Sequence, residues 1–364
     1  MTIARLVAAM ALAGGVARAD GWKVQLEAGA GGDTNVHRES GGSPTGALDA
    51  AAGGRFSASG RVAEAVRLAA SALALGRGYA GADASGENVF VLAADARADF
   101  LLGDAVPGVR ASYYDAFAAQ SDLTSLDFRA GEAAGALALR DGDHRVEAFA
   151  GWRFYRFKPN AAFDFDGERA GVRYAFAPAG DGDAWALRAG YGINRRAYSA
   201  PAIANLCPSG APVAPSCLVP TGRDRVDLFH DAAVEVTWTG AILASARYQL
   251  MVNDSSSFAQ SLLRHRVELA ATLDTWLELV VTVKLLLQWS RYPDGLLLGG
   301  DLGTFTTIED ETRNALIVHV TREIADGWMA EARYAYYASP FAPGVASYTR
   351  HVLYVGAVVT FGGP

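Results

Sequence analysis

Arginine is the residue type through which this sequence could do chemistry. Of its 32 basic residues only Lys23, Lys158 and Lys284 are lysines. Many arginines sit one residue away from a carboxylate or from each other, as in Asp95-Ala96-Arg97-Ala98-Asp99, Arg225-Val226-Asp227 and Arg264-His265-Arg266-Val267-Glu268. A guanidinium is permanently charged, forks onto carboxylate or phosphate oxygens and stacks on rings. A row of them on one face favours anions and hydroxyl-rich solutes, and Arg–carboxylate pairs in the same row brace a wall; the two uses are compatible. Catalytic signatures are missing: there is no Gly-x-Ser-x-Gly, His-Glu-x-x-His, P-loop or Gly-x-Gly-x-x-Gly. The six histidines, His37, His144, His230, His265, His319 and His351, are scattered singly. The expectation is a non-enzyme without cofactor or metal. Cys207 and Cys217 share a proline-rich segment, where two thiols are too few for a metal site but enough for one loop-stapling disulfide in an oxidising compartment.

These residues are carried on strands. From Trp276 to Trp289 the polar residues Glu278, Thr282, Lys284 and Gln288 fall on even positions, with Leu277, Val281, Val283, Leu285 and Leu287 on odd ones. Period two means a strand with one apolar face and one wet face. Taking the polar parity as the inner face, the candidate pore-lining residues are Arg97, Arg129, Arg153, Arg188, Arg247, Arg264, Arg266, Glu235, Glu278 and Lys284. The same parity adds Arg110, Asp127, Asp227 and Arg333, and turns His230, His265 and His351 outward. Basic residues outnumber acidic ones on that face although the chain carries a net charge of −7. The acidic surplus is therefore expected in loops and turns, Asp33, Asp122 and Asp164 among them.

The whole chain repeats this pattern. Its 364 residues are 51% hydrophobic and 10% aromatic, which excludes a disordered chain, and the negative balance argues against a nucleic-acid partner. Residues 1–19 read as a signal peptide: Arg5, an apolar run from Leu6 to Val16, and Ala17-Arg18-Ala19 as the cleavage site. Residues 20–364 read as one all-β domain, a single transmembrane antiparallel β-barrel of about sixteen strands (range about 14–18). Long polar connections at 35–46, 81–87, 200–223 and 292–309 alternate with short turns such as Asp141-Gly142-Asp143 and Asp326-Gly327. Trp22, Trp185, Trp238, Trp276 and Trp328 gather at the short-turn ends, and Trp289, Tyr79, Phe90, Tyr198, Tyr292 and Tyr348 near the long-loop ends. Two aromatic girdles are the mark of a barrel bathed in lipid.

Two segments resemble known proteins. Tyr354-x-Gly356-x-x-Val359-x-Phe361 is similar to the C-terminal assembly signal of bacterial outer-membrane β-barrel proteins, which implies the barrel-assembly machinery and outer-membrane lipids as partners. Here Gly362-Gly363-Pro364 follow the Phe, whereas that signal usually ends the chain. Leu26-Glu27-Ala28-Gly29-Ala30-Gly31-Gly32-Asp33-Thr34-Asn35-Val36 resembles the Gly-Tyr-Asp-(Ser/Thr)-Asn-Val segment that opens several export barrels, the poly-N-acetylglucosamine exporter and some surface-protein assembly modifiers among them, with Gly32 where those carry an aromatic residue. That second resemblance implies export of a secreted polysaccharide with separate periplasmic export proteins. The resulting expectation is a passive conduit across the outer membrane. A general diffusion porin and a plugged structural or adhesive barrel are its alternatives. If residues 1–19 are removed on export, mass spectrometry of the membrane-extracted protein will find an N-terminus at Asp20; an intact Met1 or Thr2 terminus would show that the segment is retained.

Overall fold

The alternation closes on itself. The computed structural model describes residues 18–36, 45–118, 127–178, 184–209, 213–275, 277–294, 314–339 and 348–363. Residues 1–17 of the expected signal peptide, His37, Asp122 and Trp276 lie outside these. The first half of the chain forms β1 (Arg18–Asp33), β2 (Ala47–Ala63), β3 (Val66–Tyr79), β4 (Val89–Phe100), β5 (Ala105–Ala118), β6 (Phe128–Asp141), β7 (His144–Phe157) and β8 (Phe165–Phe176). The second half forms β9 (Ala184–Asn205), β10 (Leu218–Thr239), β11 (Ile242–Ser255), β12 (Leu262–Asp274), β13 (Leu279–Arg291), β14 (Asn314–Ala325), β15 (Trp328–Ser339) and β16 (Tyr348–Gly363). Every strand pairs antiparallel with its neighbours in sequence, and β1 pairs with β16 to complete a sixteen-strand barrel. An even number returns both termini of the sheet to the rim of short turns.

Turn chemistry sets the register at that rim. Between β6 and β7 the ladder runs to Asp141 opposite His144, leaving Gly142-Asp143 to reverse the chain with Gly142 at φ 53°. A two-residue hairpin that follows the sheet's twist needs positive φ, which glycine takes without steric cost.

Side chains that meet across more than one strand identify the inner face, because only the concave side brings them together. Arg169 of β8 reaches Glu132 of β6 at 2.5 Å, and Arg350 of β16 reaches Tyr79 of β3 at 3.3 Å. The opposite parity carries an apolar belt, with Val109, Trp152, Leu287 and Val355 all exposed. Trp22, Trp185, Trp238 and Trp328 stand outward near the short turns and Trp289 near the long loops. Tyr79 and Tyr198 do not join the outer girdle there. Register puts Tyr79 opposite Asp49 and Tyr198 opposite Phe165, all on the inner face, where they pair with arginines. His230, His265 and His351 do face outward, and each Nδ1 lies 2.7–2.8 Å from a tyrosine hydroxyl on the neighbouring strand.

Half of one expected loop is sheet. Residues 200–205 and 218–223 lengthen β9 and β10 as far as Asn205 opposite Leu218. Pro201 and Pro220 are each absorbed beside a shift of register near Asp224, where a missing N–H costs the ladder nothing.

The seam of the barrel is fastened at its long-loop end by Asp33, expected in a solvated loop but fully buried as a side chain. Arg350 donates to it from Nε at 2.9 Å and from Nη2 at 2.5 Å. The Tyr79 hydroxyl lies 3.4 Å away and the Asn35 N–H donates at 3.0 Å. Arg77 stands 4.0 Å from Asp33 and bonds Asp49 at 2.7 Å, so β1, β2, β3 and β16 meet in one network. Asn35 then donates to the Thr349 carbonyl at 3.1 Å, and the Thr34 N–H to that of His351 at 3.0 Å. Removing one partner of a buried pair strands the other charge, at a cost of about 3–5 kcal/mol. Asp33→Ala should therefore lower the temperature at which the folded band converts to the unfolded band on a semi-native gel. Arg350→Lys, which keeps charge but loses the fork, should fall between; an unchanged transition in Asp33→Ala would show that the seam closes without this network.

Candidate functional site: the inner wall

Register places Arg97, Arg153, Arg188, Glu235, Arg247, Arg264, Arg266 and Lys284 on the inner face. Most are paired along or across strands. Arg97 Nε lies 2.8 Å from Asp99, Arg188 3.4 Å from Glu235 and Arg266 2.8 Å from Glu268. Arg264, buried, donates to Ser290 Oγ at 3.2 Å.

Three residues expected on the inner face lie elsewhere. Arg129 is on the outer face, opposite Asp115 and 3.2 Å from its carboxylate. Asp127, also expected inside, belongs to the same outer cluster, where Lys158 lies 2.8 Å from Asp127 and 3.0 Å from Asp115. The reason is that the apolar belt covers only the middle of each strand. Above it the outer face turns polar too, as the pairs Arg156–Asp166 at 2.8 Å and Arg195–Glu168 at 3.2 Å show, so charge no longer distinguishes the faces. Glu278 is not on a strand at all. It sits in the turn before β13 at φ 60°, 83% exposed and 3.6 Å from Arg322.

The inner wall is organised around Phe149 of β7. The guanidinium carbons of Arg110, Arg169 and Arg173 stand 5.1, 4.9 and 4.4 Å from its ring centre. Cation–ring attraction of this kind is worth about 0.5–2 kcal/mol per pair, more as water is excluded. Gly171 leaves room for the ring; a Cβ there would come within 2.7 Å of Phe149. Two carboxylates face the three guanidiniums. Glu132 takes Arg169 at 2.5 Å, while Glu147 is shared between Arg173 at 3.0 Å and Arg145 at 2.6 Å. Phe149, Arg169, Arg173 and Glu132 were not among the residues picked from sequence. The signal was present, since Gly167-x-Arg169-x-Gly171-x-Arg173 alternates on β8 like every other strand.

Nearer the long loops, rings from five consecutive strands stack along the inner wall. Tyr114, Phe128, Tyr155, Phe165 and Tyr198 follow one another with centre spacings of 5.0, 5.3, 5.5 and 5.3 Å. Arg153 and Arg196 cover Phe165 at 5.2 and 4.9 Å, and Arg225 covers Tyr198 at 4.1 Å while bonding Asp227. Most of these ring faces are already occupied, and the stack acts as a hoop.

Of the residues that resemble an assembly signal, Tyr354 and Gly356 face inward and Val359 and Phe361 outward on β16. His319 of the inner face lies 2.8 Å from Glu331. Among the described residues no group of three or more His, Cys, Asp or Glu side chains could hold a metal ion.

No family model matches this chain, and no curated protein matches it in sequence. Its shape is similar to solved structures at low identity. OccAB3 of Acinetobacter baumannii superposes with a TM-score of 0.48 at 10% identity, over 94% of this chain and all of that one. OmpT of Vibrio cholerae gives 0.43 at 13% identity, over 94% and 97%. A structure described as a bacterial polysaccharide outer membrane secretin gives 0.42 at 10% identity, over 94% and 98%. The barrel stands on its own hydrogen-bonded ladder, independent of these likenesses.

Past the last rungs of β9 and β10, Cys207 and Cys217 are joined by a disulfide across ten residues. Such a bridge removes roughly 3 kcal/mol of loop entropy from the unfolded chain. Thiol labelling of denatured, unreduced protein should find no free cysteine and, after reduction, both; two labelled thiols without reduction would mean that the bridge does not form in the cell envelope.

Proposed function

We propose that this barrel is a passive conduit across the bacterial outer membrane that prefers anionic, hydrophilic solutes. The observation that carries the reading is the inner wall itself, where guanidiniums exceed carboxylates and converge around Phe149 beside a cavity of about 770 Å³. A sixteen-strand barrel is wide enough to leave an aqueous lumen, and fixed positive charge on a low-dielectric wall concentrates anions. The apolar belt with its outward tryptophans supports a lipid surround, and no catalytic role is needed to account for the arginines. The signal peptide, the barrel-assembly machinery and the outer-membrane lipids belong to the same reading.

Export of a secreted polysaccharide is the more specific form of the conduit. In its sequence support, the Asp33-Thr34-Asn35-Val36 segment, Asp33, Thr34 and Asn35 bond across the seam to β16, a role that does not depend on the cargo. The cargo therefore has to be decided by experiment. Refolded protein in planar bilayers should open in discrete steps with anion preference, and Arg247→Gln with Arg266→Gln should move the reversal potential towards zero. Loss of surface polysaccharide on deletion, with small-solute uptake unchanged, would favour export, and the reverse result a diffusion porin. Electrical silence of a correctly folded, heat-modifiable barrel would overturn the conduit and leave the plugged barrel.

A further inference from the structure

We infer that Arg110, Arg169 and Arg173 form a discrete binding site for an oxyanion carried on a hydroxylated body, a sugar phosphate or a sugar acid. Attraction by the wall as a whole needs no particular arrangement of arginines; this cluster has one. The three guanidiniums come from β5 and β8 and meet over a single ring on β7. Arg169 and Arg173 each have a carboxylate within 3.0 Å. Arg110 does not. Its Nε stands 3.9 Å from Glu132, beyond hydrogen-bond reach, and its buried Nε and Nη2 atoms have no acceptor. An unmet donor on a buried charged group costs more than a neutral one, and like charges gathered around it add repulsion. An anion arriving between the guanidiniums would relieve both.

The surroundings define what else the ligand carries. The three arginines border the cavity of about 770 Å³ together with Lys23, Arg97, the serines Ser57, Ser59 and Ser112, and the carboxylates Asp95 and Glu132, the latter already engaged by Arg169. That volume is within the range of about 300–1,000 Å³ usual for small-molecule sites. Convergent guanidiniums suit the two oxygens of a carboxylate or the several of a phosphate. Serine hydroxyls, which both donate and accept, suit a ring bearing its own hydroxyls. The inference rests on the conduit reading only for the route by which such a ligand arrives.

Equilibrium binding separates the two. Isothermal titration calorimetry on the refolded full-length barrel in detergent, checked for heat-modifiability, should give saturable one-to-one binding of glucose 6-phosphate, of glucuronate or of both. Which of the two binds distinguishes phosphate from carboxylate as the natural head. Glucose alone should give no binding, and inorganic phosphate should bind at least tenfold more weakly than glucose 6-phosphate. Arg110→Lys keeps the charge and removes the fork, and should weaken binding at least tenfold. Wild-type affinity in a folded Arg110→Lys barrel would overturn the site in favour of the diffuse field, as would saturable binding of neither anion. Equal affinity for inorganic phosphate and glucose 6-phosphate would overturn the hydroxylated body. Absent binding in an anion-selective pore would defeat this inference alone, and binding in an electrically silent barrel would defeat the conduit alone.

Discussion

The pairing of β1 with β16 is the interaction on which the rest of this structure depends. A strand exposes a row of N–H and C=O groups along each edge, and in hydrocarbon no water is available to satisfy them. Closing the sheet removes both edges at once. Closure also divides every side chain between two surroundings with nothing in between. Each strand must then be apolar on one parity through the lipid-facing belt and is free to be charged on the other. The arginine wall is thus a by-product of closure before it is a site.

Closure explains why the polar groups cluster where they do. At the seam the first and last strands have no short turn to hold their register, and there the molecule places the buried Asp33, doubly bonded by Arg350. Midway round the wall, where hairpins already fix the register, the charges are left incompletely matched around Phe149. At the seam Asp33 itself is fully bonded, accepting from both Arg350 nitrogens and from the Asn35 N–H. The cluster around Phe149 retains donors without acceptors on Arg110. A carboxylate so fully bonded braces; a guanidinium with unmet donors can bind.

Strand number, single-sheet topology and most of the inner face were legible in the sequence, because period two states the answer directly. Arg97, Arg188, Arg247 and Lys284 needed nothing beyond parity. Arg129 misled because parity is read from charge, and charge marks a face only where the other face meets lipid. Glu278 misled because a turn residue has no face. Asp33 looked like a loop acid, since its partner Arg350 is 317 residues away and no local pattern connects them. The convergence on Phe149 was hidden for a related reason: Arg110, Phe149 and Arg173 are each ordinary inward residues of three different strands, and it is curvature that gathers them.

The lengthened hairpin of β9 and β10 continues beyond the strands that flank it. On one side β8 begins opposite Tyr198, and on the other β11 ends opposite Asp227. At about 3.3 Å per residue the rungs from Tyr198 to Asn205 stand roughly 20 Å clear of β8. The 256–261 loop props this projection, with Phe258 N–H donating to the Ile203 carbonyl at 2.9 Å, and the disulfide ties its tip. A two-stranded ribbon held at tip and flank is a stiff post. Its foot is Tyr198, the last ring of the aromatic hoop, with Arg225 over it and Asp227 bonded to that arginine. Whatever takes hold of the tip therefore has a lever on the rim of the lumen.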